Sequence, residues 1–140
     1  MFGILLSCLI IGDSIAVGIS QQMQDCQSNS KVGMNSYTLA NIYIPKKEIT
    51  IISIGSNDPT NPKLLTNLIN TREKIESKVI WVLPMHSRAQ EEISLIANAN
   101  NDLLVSFAPG KDKVHPKSYK TLCQNLAYKR RNTACSTPPM

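Results

Sequence analysis

The stretch MFGILLSCLIIGDSIAVG, residues 1–18, decides the fold of this chain. Its apolar run over residues 3–11 lacks the polar alternation of a half-buried strand and is typical of a strand buried on both faces. The run ends at Gly12 and Asp13, and residues 15–24 then have the length and apolar spacing of a helix. A buried strand that turns directly into a helix indicates the first half of a β-α-β unit.

The same N-terminal stretch is apolar enough to be compared with a secretion signal or a membrane span. No Lys or Arg precedes its hydrophobic part, and Asp13 interrupts it before the ~20 residues that cross a bilayer. We therefore expect a buried strand and no stable membrane insertion, with an exported or membrane-anchored protein as the alternative. A cytoplasmic location is favoured over export.

Three further apolar runs of strand length follow, and helix-length segments separate them. The runs cover residues 49–54, 79–83 and 103–107, and the helical segments cover residues 62–77, 88–101 and 116–129. A short strand at residues 30–34, followed by a helical turn at 37–42, brings the number of strands to about five. This alternation predicts an α/β fold with a parallel sheet. Residues 1–128 form the domain, and residues 129–140 form a C-terminal tail.

Length and composition indicate one globular domain. The chain has 140 residues, 42% of them hydrophobic, and a formal net charge of +5. This size and composition exclude a disordered or fibrous protein. The positive charge favours anionic partners. The basic residues are scattered, however, and aromatic residues, 5% of the chain with two Phe and one Trp, are few for stacking bases, so we expect no nucleic-acid partner.

The four cysteines, Cys8, Cys26, Cys123 and Cys135, have no CxxC spacing. The pattern therefore supports neither a zinc site nor a thioredoxin-like redox site. Cys8 lies in the apolar strand and is interpreted as a small core residue. The other three lie in polar surroundings, where a disulfide forms if the compartment is oxidising.

Residues with catalytic potential follow the ends of the predicted strands, where open parallel sheets place their sites. Ser14 follows the first strand and opens a helix, so its hydroxyl lies at the strand end. His115 lies in KDKVHPKSY, three residues after Asp112 and just before Pro116, which suits the first position of a helix. Taken singly, Ser14 is also a suitable helix N-cap and His115 a surface-loop histidine. Together, the three residues have the chemistry of a nucleophile, a base and an orienting carboxylate.

Two further segments offer hydrogen-bond donors for a developing oxyanion. Asn57, in ISIGSNDPTN, follows the third strand and has a side-chain amide to donate, the alternative being an Asn-Asp-Pro turn. A backbone N–H of VGMNSYT supplies the second donor. His86, in LPMHSR, follows the fourth strand without a neighbouring carboxylate, so we expect a loop histidine without catalytic duty. Trp81 is expected in the core.

These pieces occur in the order and spacing of the SGNH (GDSL-like) hydrolase family, which the chain resembles from residue 4 to about residue 126. IIGDSIAVG resembles the first block of that family, GSND its third block and DKVHP its fifth. The resemblance implies a flavodoxin-like three-layer α/β/α sandwich. It also implies that Ser14 is the nucleophile and that Asp112 and His115 complete a triad. Ser14 N–H and Asn57 Nδ2 are then oxyanion donors.

The second block departs most from the family pattern. The family supplies an oxyanion N–H from a glycine, which the resemblance places at Gly33. Ser36 is the alternative register, if its backbone angles suit a residue with a side chain. The first block reads GDSI instead of GDSL, a hydrophobic exchange that leaves the chemistry intact. The GxSxG elbow of the α/β-hydrolases is absent.

The resemblance predicts a serine esterase that hydrolyses short-chain acyl esters, acetyl above all, on a small molecule, a carbohydrate or a cell-wall polymer. It implies no metal and no organic cofactor. So short a chain leaves little for a lid, which favours a shallow and open site. The alternatives are a lysophospholipase or thioesterase of the same fold, a catalytically silent binding domain, and an exported, disulfide-stabilised interaction protein. The sequence does not indicate an oligomeric state.

Overall fold

A computed structural model describes residues 7–129 and residue 135. Over this range the chain alternates between five strands and five helices. The strands are β1 (Cys8–Gly12), β2 (Gln27–Ser30), β3 (Ile49–Ser53), β4 (Lys78–Val82) and β5 (Leu103–Val105). The helices are α1 (Ser14–Gln22), α2 (Ser36–Asn41), α3 (Leu64–Glu73), α4 (Ser87–Ala99) and α5 (Tyr119–Lys129).

The strands form one parallel sheet in the order β2-β1-β3-β4-β5. This is the flavodoxin-like order. Gly12, the last residue of β1, lies opposite Ser30 of β2 and opposite Ser53 of β3. The loops that follow the strands therefore emerge at one edge of the sheet, which we name the carboxyl edge. It comprises residue 13 and residues 31–35, 54–63, 83–86 and 106–118.

Two buried clusters, one on each face of the sheet, make the fold a three-layer α/β/α sandwich, and this confirms the predicted fold class. Helices α1 and α5 pack together on one face, and α3 packs with both α2 and α4 on the other. In β1, Ile10 belongs to the first cluster and Ile11 to the second, because successive side chains of a strand point to opposite faces. A strand covered on both faces is apolar throughout, which explains the run without polar alternation.

The second strand lies earlier in the chain than the predicted position, residues 30–34, because β2 ends at Ser30. The side chains of this edge strand are polar and largely exposed, so a search for hydrophobic runs does not find it. Residues 31–34 form a turn instead, in which Met34 N–H donates to Lys31 O at 3.0 Å and Gly33 has a φ of 85°. A type II turn requires a positive φ at this position, which glycine adopts without strain.

Helix α5 begins later than predicted. Pro116 is not its first residue, because it lies in a short antiparallel bridge with Pro109 and is buried. Ser118 Oγ accepts a hydrogen bond from Thr121 N–H at 3.1 Å and so caps a helix that starts at Tyr119. The bridge closes the loop of residues 110–115, which carries two of the predicted catalytic residues.

All four cysteines are paired, in the disulfides Cys8–Cys26 and Cys123–Cys135. Cys8 is buried, as expected. The interpretation that only the other three cysteines are placed to form disulfides is wrong, because Cys8 is bonded to Cys26, which precedes β2. The second disulfide joins α5 to Cys135. Two disulfides in a small domain are typical of oxidising compartments.

The ends of the chain lie largely outside the described residues. Residues 1–6, which include the start of the predicted first strand, are among them, and so is the predicted tail, residues 129–140, except Lys129 and Cys135. No helix in the described part of the chain combines the length and the apolar character that a bilayer span requires.

Candidate active site

Ser14 is the first residue of α1 and follows β1 directly after Asp13. The turn requires glycine before it, because Gly12 has a φ of 136° and a Cβ there would overlap the carbonyl oxygen of Ser53. Asp13 caps the helix, with its Oδ1 accepting from Ile15 N–H at 3.0 Å. The N-cap is therefore Asp13, and the alternative role of Ser14 as a cap is wrong. The Ser14 hydroxyl is left free for another partner.

His115 lies between Ser14 and Asp112. Ser14 Oγ and His115 Nε2 are 2.8 Å apart, and His115 Nδ1 and Asp112 Oδ2 are 2.6 Å apart. Because a carboxylate only accepts hydrogen bonds, Nδ1 carries the ring proton and Nε2 accepts from the Ser14 hydroxyl. In this arrangement, which we name the relay, a histidine can take a proton from a serine while a carboxylate holds the ring.

Asp112 is held by the backbone of its own loop. Its Oδ1 accepts from Val114 N–H and from His115 N–H, each at 2.9 Å. These two bonds, and then the bond to the imidazole, lower the pKa of Asp112 to about 2, so the carboxylate is ionised at neutral pH. Lys113, inside this turn, has a φ of 61°, a left-handed conformation that is uncommon outside glycine.

Asp13 connects the turn between β1 and α1 to the loop that follows β3. Its carboxylate is buried, with Oδ1 also accepting from Ser53 Oγ at 3.1 Å and Oδ2 accepting from Ser56 Oγ at 2.6 Å. Burial raises the pKa of Asp13, and these hydrogen bonds offset part of the rise. Since Ser56 directly precedes Asn57, Asp13 fixes the loop that carries Asn57 relative to Ser14.

Three hydrogen-bond donors lie at or beside the carboxyl edge, one at the start of α1 and two on the loops that follow β2 and β3. Asn57 Nδ2 donates one hydrogen bond to Met34 O at 3.0 Å, and the same amide nitrogen carries a second hydrogen. The N–H groups of Ser14 and Gly33 have no acceptor among residues 7–129. Donors of this kind can stabilise the charge that develops on a carbonyl oxygen.

Ser36 has its N–H engaged elsewhere. This N–H lies 3.2 Å from each carboxylate oxygen of Asp58, and Ser36 Oγ donates to Asp58 Oδ2 at 2.5 Å. Asn67 Nδ2 donates to the same hydroxyl at 3.0 Å. An N–H that is bound to a carboxylate does not serve an oxyanion, so the geometry favours Gly33 over Ser36 as the second backbone donor.

Tyr119 joins α1 to α5 close to the relay. Burial raises the pKa of its hydroxyl, and the charges of Asp13 and Asp112 raise it further, so the hydroxyl stays protonated. Its ring packs on Gly18, one helical turn after Ser14, where a Cβ would overlap the ring. This contact sets the spacing between the helix that begins with the serine and the helix that follows the histidine.

The other histidine and the tryptophan take structural positions. His86 caps α4, because its Nδ1 accepts from Arg88 N–H at 3.2 Å, and it lies outside the relay. Trp81 is fully buried, and its Nε1 donates to Asp102 Oδ2 at 2.9 Å. Within the described residues Cys8, Asp25 and Cys26 lie close together, but the two sulfurs are bonded to each other and offer no thiolate to a metal.

Sequence reasoning missed Asp13 and Asp58, two carboxylates that hold the site together. Asp13 precedes Ser14, and Asp is a frequent N-cap, so its capping role has a local signal. Asp58 follows Asn57, but its partner Ser36 is 22 residues away, and no local pattern indicates that contact.

The structure thus brings Ser14, His115 and Asp112 into one relay and places Gly33 and Asn57 on adjoining loops. No protein-family model matches this chain, and no curated protein sequence matches it at a significant level.

Proposed function

We propose that this chain is a serine esterase of the SGNH type that hydrolyses acetyl and other short-chain acyl esters. The observation that carries the proposal is the relay, with 2.8 Å from Ser14 Oγ to His115 Nε2 and 2.6 Å from His115 Nδ1 to Asp112 Oδ2. Such contacts are what the activation of a serine nucleophile requires. The ordered motifs GDSI, GSND and DKVHP support the same function.

The reaction proceeds in two halves. Ser14 Oγ attacks the ester carbonyl carbon as its proton passes to His115 Nε2, while Ser14 N–H, Gly33 N–H and the Asn57 amide stabilise the oxyanion. His115 then protonates the departing alcohol oxygen, and an acyl-serine remains. In the second half Nε2 takes a proton from water, whose oxygen attacks the acyl-serine carbonyl carbon. The bond to Ser14 Oγ then breaks as Nε2 returns the proton to Oγ, which releases the acid and restores the serine hydroxyl.

The openness of the site supports short acyl groups. The side chains of His115 and Asp112 are 41% and 54% exposed, so no segment among the described residues covers the relay. A long acyl chain gains affinity where an apolar surface buries it, whereas an acetyl group needs little beyond the oxyanion donors. An open site also accepts a bulky alcohol such as a carbohydrate.

The test is the hydrolysis of p-nitrophenyl acetate, butyrate and octanoate by the wild type, Ser14→Ala and His115→Ala. We expect acetate to be the best substrate and both variants to lose at least about a thousandfold in kcat/KM, since the relay residues act as a unit. His86→Ala is the matched control. Its histidine caps α4 outside the relay, so this variant should keep wild-type activity.

A fluorophosphonate that labels activated serines provides a second readout. The wild type should gain one adduct on the peptide that contains Ser14, and Ser14→Ala should gain none. Activity that survives Ser14→Ala contradicts the proposal. A wild type that neither hydrolyses these esters nor gains the adduct also contradicts it and indicates the silent binding domain. A preference for octanoate favours the lysophospholipase alternative.

A further inference from the structure

The two loops that carry Gly33 and His115 share a feature that the relay does not use. Gly33 is preceded by Lys31 and Val32, and His115 is preceded by Lys113 and Val114. All four of these side chains are exposed. Each loop therefore presents a cation and an apolar group to solvent directly before its functional residue.

The His115 loop and the start of α5 carry further positive charge. Residues 111–120 contain four lysines and one acid, Asp112, whose carboxylate is engaged by His115. We define the lysine rim as Lys31, Lys111, Lys113, Lys117 and Lys120. All five side chains are exposed, and their ammonium groups form no ion pair or hydrogen bond with any residue that the structure describes.

At one rim position the backbone conformation does not favour lysine. The left-handed backbone of Lys113 would suit glycine with less strain. Lys47, Lys63, Lys78 and Lys129 also lack a side-chain partner among the described residues, so the rim is distinguished by its place on and beside the loops that carry Gly33 and His115. The lysine rim is thus a positive surface without neutralising partners beside an open site, and such a surface concentrates anionic ligands.

We propose that the lysine rim selects acyl esters carried by a polyanionic carbohydrate, with its ammonium groups pairing with carboxylates on sugars near the esterified one. This inference rests on the proposed esterase function. Val32, Val114 and Tyr37, the last in the first turn of α2, offer exposed apolar surface for the C–H faces of sugar rings. Water cleaves the ester, so that an acetylated sugar yields acetate and a free sugar hydroxyl.

Two other polyanions fit this surface less well. Insertion into an anionic lipid surface uses exposed Trp, Phe or Leu beside the cations. Around the rim, the large exposed hydrophobic residues in the described range are Val32, Tyr37 and Val114. Nucleobases stack on several aromatic side chains, and Tyr37 is the one that this part of the described surface provides.

Binding is tested with polygalacturonate, an acidic polymer without acyl esters, and with neutral dextran, by titration calorimetry at low and moderate salt. The rim variant carries Lys31→Gln, Lys111→Gln and Lys113→Gln. The control variant carries Lys47→Gln, Lys78→Gln and Lys129→Gln, which remove the same charge at the opposite edge of the sheet, where Lys78 and Lys129 line one depression.

We expect the wild type to bind polygalacturonate and not dextran, and more weakly as salt rises. The rim variant should bind at least about tenfold more weakly, and the control variant less than about twofold more weakly. Equal weakening in both triple variants shows a general charge effect and overturns the proposal. Tighter binding to phosphatidylserine vesicles or to single-stranded DNA than to polygalacturonate also overturns it.

Hydrolysis is tested on acetylated polygalacturonate and acetylated dextran of equal acetyl content. The ratio of kcat/KM for the acidic polymer to that for the neutral one should fall at least about tenfold in the rim variant alone. Ser14-dependent hydrolysis of both polymers at one rate overturns this inference and leaves the esterase function standing. If no ester is hydrolysed, the esterase function fails. The anionic site is still supported in that case if the rim variant loses polygalacturonate binding and the control variant keeps it.

Discussion

At the scale of single residues, two aspartates near Ser14 differ because of their surroundings. Asp112 is exposed and accepts three hydrogen bonds, two of them from the backbone, so its pKa falls to about 2. Asp13 is buried, and the loss of solvent raises its pKa in spite of its hydrogen bonds. The sequence shows where both aspartates lie, but it does not show which of them is buried. The pairing of Asp112 with His115 was therefore predictable from their spacing, and so was the capping role of Asp13, whereas the buried contacts of Asp13 with Ser53 and Ser56 were not.

Asp13→Asn should reduce the pH dependence of stability. The folded-state pKa of Asp13 is raised above 3.8, so this residue costs stability progressively as pH rises from about 3.8 through the raised value. Asp112 has the opposite effect on stability, and over a different pH range. Its ionised carboxylate stabilises the folded state above about pH 3.8, and this stabilisation is lost as the pH falls towards 2. Asparagine keeps an oxygen for the existing donors and offers an amide to Ser56.

The measurement is the Tm of the wild type and of Asp13→Asn at a series of pH values from about 4 to about 8. We expect the Tm of the variant, relative to that of the wild type, to rise with pH across this range and then level off. A difference in Tm that stays constant with pH, or that falls as pH rises, would show that the folded state does not disfavour the ionised carboxylate.

At the scale of elements, the sequence predicted the strands that are apolar and missed the one that is not. The apolar runs from which β3 and β4 were predicted have bounds within one residue of those of the observed strands, because burial on both faces requires apolar residues. β2 is a polar edge strand held by its ladder to β1, so hydrophobicity carries no signal for it. The start of α5 was misplaced because Pro116 pairs with Pro109, a contact that depends on how the loop closes.

Gly18→Ala should reduce esterase activity more than stability. The added methyl group overlaps the Tyr119 ring, and a shift of this ring changes the spacing of α1 and α5 and hence the contact between Ser14 and His115. We expect kcat/KM for p-nitrophenyl acetate to fall by about tenfold to a hundredfold, because small misplacements of reacting groups are costly. The free energy of unfolding should fall by only about 1 kcal/mol, which lowers the Tm of a domain of this size by a few degrees.

The control for this contact is the double variant Gly18→Ala/Tyr119→Ala, in which the smaller side chain removes the overlap. It should recover part of the activity that Gly18→Ala loses, and Tyr119→Phe, which keeps the ring, should stay close to the wild type. Losses that simply add in the double variant would mean that the two residues do not act through their contact.

At the scale of the whole molecule, the alternation of strands and helices was enough to predict a parallel sheet with its site at the carboxyl edge. The strand order and the long-range contacts were not predictable in this way. Cys8 pairs with Cys26, and Ser36 binds Asp58, only because β1, β2 and β3 lie side by side. Such contacts depend on the assembled sheet and leave no local pattern in the sequence.

The two disulfides should contribute substantially to the stability of so small a domain. The Cys8–Cys26 bond spans 18 residues, and closure of such a loop in the unfolded chain is worth about 3 kcal/mol. We expect Cys8→Ala/Cys26→Ala to lower the free energy of unfolding in urea by about that amount. Thiol titration of the denatured wild type should find no free thiol, and four reactive thiols would contradict the pairing.

The polar character of β2 also bears on self-association. All five residues of β1 are buried, and one hydrogen-bonding side of this strand is covered by β2. Because β2 buries few side chains, its backbone ladder and the Cys8–Cys26 bond hold it in place. Without this disulfide the ladder alone holds β2, and separation of β2 exposes an apolar strand with unpaired backbone groups, onto which a strand from another copy can add. The Cys8–Cys26 bond thus helps to keep the edge of β1 covered.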